Sequence, residues 1–126
     1  MKKALILFCL LSIIDVYAHE FNPAHLVINE VEGSDSNYDV TWMYPFKNIG
    51  KRAEVIFPKQ CSSNSEDLFY QGKYLKEKIT LQCTDTLKGS KIEIISLSVL
   101  TDALVTINFL DDTFEGLVNV QSNVLE

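Results

Sequence analysis

Alternation of apolar and polar side chains is the feature that most restricts what this chain can fold into. Tyr38, Val40, Trp42 and Tyr44 fall on one face of an extended segment, with Asp39, Thr41 and Met43 on the other. A period of two belongs to a strand with one face buried. Ala53, Val55 and Phe57 alternate in the same way with Arg52, Glu54 and Ile56. Leu75, Ile79, Leu81 and Cys83 share a face opposite Lys76, Lys78, Thr80 and Gln82. Further strands are expected from His25 to Val31, Lys91 to Ser96, Ala103 to Phe109 and Thr113 to Val120, about seven in all. No stretch carries a sustained helical stripe.

The segments between these strands have turn chemistry. Gly33 to Asn37 separates the first two strands, Pro45 to Gly50 the next two, and Leu87 to Ser90 precedes the fifth. Asp111-Asp112 sits between the last two, where aspartate tolerates the left-handed conformation of a tight hairpin. Ser62 to Gly72 is polar and then aromatic, and reads as a loop pinned at Cys61. Short strands at this spacing predict an all-β fold, a two-sheet antiparallel β-sandwich of immunoglobulin-like type, with a small barrel as the alternative. The alternating Tyr38, Trp42 and Tyr44 are expected in its core, with Trp42 packed near the disulfide.

The N-terminus bears on the compartment. Lys2 and Lys3 precede an apolar run from Ala4 to Ile14, and Val16-Tyr17-Ala18 has the form of a signal-peptidase site. A membrane-spanning helix needs roughly 20 apolar residues, and this run stops at Asp15. Residues Met1–Ala18 therefore read as a secretory signal, and 19–126 as a single domain beginning at His19. Cys9 follows the bulky Phe8 inside the apolar run, and leaves with the signal. Taking Lys2, Lys3 and Asp15 from eleven basic and seventeen acidic residues leaves nine against sixteen, a net charge of −7. An acidic domain has no electrostatic attraction to phosphate backbones, so nucleic acid is not expected as a partner. Cys61 and Cys83 remain, and an even pair in an exported chain is expected to form a disulfide.

Few residues suggest chemistry. A mature terminus at His19 would combine a free amine with an imidazole, and His25 is the only other histidine. Together they could chelate copper or nickel, against the plainer reading of a terminal residue and an outward-facing strand histidine. There is no Gly-x-Ser-x-Gly elbow and no glycine-rich phosphate loop. Glu66-Asp67 and Asp111-Asp112 are sequence neighbours, whose side chains point apart and make poor acid–base partners. The chain is therefore not expected to be an enzyme, nor to carry a resident cofactor other than such a metal. Phe69, Tyr70 and Tyr74 are the candidates for an exposed recognition patch.

The segment Ala18-His19-Glu20-Phe21-Asn22-Pro23-Ala24 resembles the opening of the exported region of HupE/UreJ-type membrane proteins. Trp42-Met43-Tyr44-Pro45 is similar to that family's Trp-x-x-Pro-like segment, and Cys61 and Cys83 match its two cysteines. Leu87 to Ile92 and Ser96 to Val105 resemble its later "L-x-G" and "L-x-x-x-x-T-D-x-L-V" stretches. The resemblance spans nearly all of the chain after the signal. It implies an exported β domain that precedes a bundle of transmembrane helices, in a family with hydrogenase and urease accessory roles that is thought to move nickel or a related metal. None of those helices lies in this sequence, so no transport residue carries over. The resulting expectation is a non-catalytic periplasmic or extracytoplasmic module. Its partner would be membrane helices of the same or a neighbouring gene product, and it would have no membrane span of its own after signal cleavage. The chain would then be either a fragment or a stand-alone relative of the exported half. A stand-alone metal-binding protein using His19 is the alternative.

Overall fold

The computed structural model describes residues 22–33, 36–45, 52–97, 101–119, 122 and 124–125. The signal segment and His19 lie outside them. Among the described residues nine strands follow in chain order: β1 (Ala24–Glu30), β2 (Asn37–Pro45), β3 (Glu54–Ile56), β4 (Cys61–Gln71), β5 (Tyr74–Cys83), β6 (Ile92–Ile95), β7 (Ala103–Asn108), β8 (Thr113–Val118) and β9 (Val124–Leu125). They form a six-stranded sheet in the order β4-β5-β2-β1-β7-β8 and a three-stranded sheet in the order β3-β6-β9. The result is all-β and sandwich-like, with one disulfide between Cys61 and Cys83. The large sheet is mixed rather than wholly antiparallel, because β1 and β7 run parallel, Leu26 opposite Val105.

The core follows from the alternation. Ala24, Leu26 and Ile28 of β1, Tyr38 to Tyr44 at every second position of β2, and Val105 and Ile107 of β7 point inward. They pack with Ile92 and Ile94 of the small sheet. Fully burying a side chain of the leucine or isoleucine class contributes about 1.5–3 kcal/mol. Trp42 also joins the two layers. Its Nε1–H donates to the carbonyl of Ala53, immediately before β3, at 3.2 Å, which satisfies the indole's single donor inside the core.

Three further expectations need correction. The stretch Ser62 to Gly72 is not a loop: Ser62 to Gln71 make up most of β4, the longest of the described strands, and Gly72 begins the turn after it. Asparagine, aspartate and, less strongly, glutamate disfavour strands, but here ten registered pairs with β5 override that preference. The disulfide closes one end of this hairpin and a two-residue Gly72-Lys73 turn the other, with Gly72 at φ 58. A positive φ at the first turn position is what glycine supplies in a type II′ hairpin. Secondly, Trp42 is remote from the disulfide. It lies opposite Glu77, roughly 20 Å along β5 from Cys83 at about 3.3 Å per residue. Tyr38 is the aromatic at the disulfide end of β2. Thirdly, Asp111 and Asp112 do not take the left-handed conformation; among the described non-glycine residues only Ser96 does, at φ 63. Asp112 instead caps its own turn, its Oδ1 accepting from Thr113 N–H at 2.8 Å.

Candidate functional site

The outer face of the large sheet, opposite the core, collects three of the residues that the sequence singled out, His25, Phe69 and Tyr74. The strand registers place Phe69, Lys76, Met43, His25, Leu104 and Leu117 side by side across all six strands. Tyr74 adjoins this row. Its ring meets that of His25 edge to face, with centroids 5.8 Å apart. Lys76 and Lys78 each hold their ammonium 5.9 Å from the centre of the Phe69 ring, within reach of a cation–π attraction. At the β7–β8 end, Leu104 is 38% and Leu117 50% exposed.

The sequence-based candidates therefore divide. His25, Phe69 and Tyr74 come together on one face. Tyr70 does not join them, because Phe69 and Tyr70 are consecutive strand residues and point to opposite faces. Tyr70 lies opposite Leu75 on the core side of the hairpin tip and is 71% exposed. The partner that the structure gives His25 is an aromatic ring. Among the described residues no three histidines, cysteines or carboxylates gather as a metal-binding group. His19, the other proposed ligand, lies outside the described residues.

A second feature sits on the core side and was missed. A cleft of about 350 Å³ opens between β3 and the β4–β5 hairpin, lined by Trp42, Arg52, Val55, Phe57, Ser63 and Glu77 among others. Arg52 and Glu77 form an ion pair at 2.5 Å, and Ser65 Oγ donates to the second carboxylate oxygen of Glu77 at 2.8 Å. With 18% of its side chain exposed, Glu77 occupies an inward position of β5. The signal was a charged residue at position 77, in phase with Leu75, Ile79 and Leu81. At the far end of the molecule, Lys88 bridges to Asp111 at 2.9 Å and lies 5.1 Å from the ring centre of Phe109. That hydrogen-bonded contact holds the Asp111 carboxyl below its ordinary range and the Lys88 ammonium above its own.

No family model, curated protein or solved structure matches this chain.

Proposed function

We propose that this chain is a non-catalytic extracytoplasmic module of a HupE/UreJ-like membrane protein, exported behind Met1–Ala18 and acting by binding or assembly. Its partner on this reading is a set of membrane helices of the same or a neighbouring gene product, in a system that moves nickel or a related metal. The observation that carries the binding role is the outer-face row from Phe69 to Leu117. At one end of that row Leu104 and Leu117 lie opposite each other and both face solvent, and neighbouring exposed apolar side chains of that kind mark interaction surfaces. The disulfide supports the compartment, since such bonds persist where the surroundings are oxidising. The order of the motifs from His19 to Val105 supports the family.

The test is retention on membranes. Fractionation of cells producing the native chain should place it in the extracytoplasmic membrane fraction. A Leu104→Lys, Leu117→Lys double variant with unchanged circular dichroism should move to the soluble extracytoplasmic fraction. A cytoplasmic location, or retention indifferent to the double substitution, would overturn the proposal.

A further inference from the structure

The two edges of the large sheet are built differently. β4 is interrupted by a bulge between Ser65 and Asp67, and it carries Ser62, Ser63, Asn64, Glu66 and Asp67. Bulges and charges are the usual means of keeping an edge from pairing with another chain. The small sheet ends in strands of three and two residues, too short to template much. β8, with the sequence TFEGLV, has no bulge, no proline and no lysine, and among the described residues it pairs with β7 alone.

The register identifies which backbone groups β8 leaves open. Phe109 N–H donates to the Asp112 carbonyl at 2.8 Å, so those two residues form a hydrogen-bonded pair. Such pairs alternate along an antiparallel ladder. Phe114, Gly116 and Val118 therefore turn their peptide groups toward β7, while Thr113, Glu115 and Leu117 turn theirs outward. Thr113 N–H is taken by Asp112. Glu115 and Leu117 then present N–H and C=O groups in strand geometry to whatever lies alongside.

Side chains complete the groove. Beneath β8, between the sheets, a cavity of about 200 Å³ is lined by Leu87, Ile92, Ile107, Phe109 and Phe114, among others. Phe114 is 37% exposed at its mouth. Gly116 follows on the same face, and a glycine inside a strand often marks a close backbone approach. On the other face Leu117 and Glu115 stand next to the open edge. The local charge is acidic: Asp111, Asp112 and Glu115 are exposed, and the neighbouring cation Lys88 is engaged by Asp111. Pairing β8 with a second copy would bring these acids against their own kind. A basic segment complements them.

Resting on the reading of this chain as a binding module, we propose that the β8 edge takes up an extended segment of a partner protein as an added strand. That segment has apolar residues at alternate positions, directed into the cavity beside Phe114. Lysine or arginine occupies the intervening positions, facing Glu115. Main-chain hydrogen bonds give the affinity and the alternate side chains the selectivity, as in strand addition generally.

The experiment is a titration of the purified, isotope-labelled, disulfide-bonded chain with an end-capped hexapeptide of alternating valine and lysine, followed by amide and methyl NMR. Saturable shifts are expected at Glu115 and Leu117 and at the Ile92 and Ile107 methyls, with affinity falling as salt is raised. Methylating the peptide nitrogens on one edge should weaken binding about tenfold, the equivalent of about 1.4 kcal/mol, and Glu115→Lys should weaken it with the fold intact. The proposal is overturned by any of three results: equal binding of the methylated peptide, shifts centred on β4, or no saturation at millimolar peptide. Concentration-dependent broadening of β8 signals without peptide would assign the edge to a second copy instead, and also overturns it. Membrane retention tests the proposed function separately, so the two can fail independently.

Discussion

The phenolic oxygen of Tyr38 accepts a hydrogen bond from Leu87 N–H at 3.1 Å, between positions 49 residues apart and both buried. It anchors the segment between β5 and β6 to the middle of the core, where the Tyr38 ring also meets Phe109 edge to face. Tyr38→Phe keeps the ring but strands a buried N–H. Leaving such a group unsatisfied costs about 1–3 kcal/mol, so the midpoint of urea unfolding should fall accordingly with an unchanged slope. A midpoint equal to that of the parent would show that the bond contributes nothing.

Reduction of Cys61–Cys83 frees a loop with a sequence separation of 22 residues. The loop-entropy relation assigns that closure about 3 kcal/mol. Unfolding curves with and without reductant should differ by about that amount. The hairpin is also closed at Gly72, so hydrogen-exchange protection should drop first at the Cys61 end of β4 and last near Gln71. Uniform loss along the strand would contradict this order.

Arg52 and Glu77 are each partly buried, with 30% and 18% of their side chains exposed. Glu77→Ala leaves a guanidinium in the cleft beside Trp42 without its carboxylate, and should destabilise more than the double change Arg52→Met, Glu77→Leu. Removing one partner of a shielded pair strands the other charge, whereas replacing both by apolar groups is often neutral. Chemical denaturation of the three proteins checks the ranking, and a double variant less stable than Glu77→Ala would reverse it.

The Lys88–Asp111 pair lends its support within a defined pH window. Asp111 has a lowered pKa, chiefly because its carboxylate accepts from Lys88. Its contribution is complete above the ordinary carboxylate range and is lost as pH falls through the lowered value. Lys88 is raised by the same contact, so its contribution is complete below the ordinary lysine range and is lost as pH rises through the raised value. The pair is exposed, so the effect is small and screened by salt. Asp111→Asn should flatten the acid limb of the stability profile slightly at low salt and leave it unchanged at high salt.

Much of this architecture was legible because alternation and burial are the same statement in a half-buried strand. Tyr38 to Tyr44 read directly as a core face, and Cys61 and Cys83 as a pair. β4 was not legible, since its polar residues owe their extended conformation to β5 and to closure at both ends, which are not local properties. The β1–β7 parallel contact joins segments far apart in the chain and leaves no local mark. Part of the outer-face row was visible as His25, Phe69 and Tyr74 taken separately. Their convergence required the register. Glu77 was visible in principle, as a charge in an apolar phase.

The proposed function requires this disulfide-closed domain to be exported and held at a membrane partner. Its most direct test is the intact mass of the native chain in extracytoplasmic and membrane fractions, with and without reductant. The expected result is a species beginning at His19, found with the membranes, and lighter before reduction by the hydrogens lost in forming the disulfide. A species retaining Met1–Ala18 with both thiols free, recovered from the cytoplasm, would contradict it.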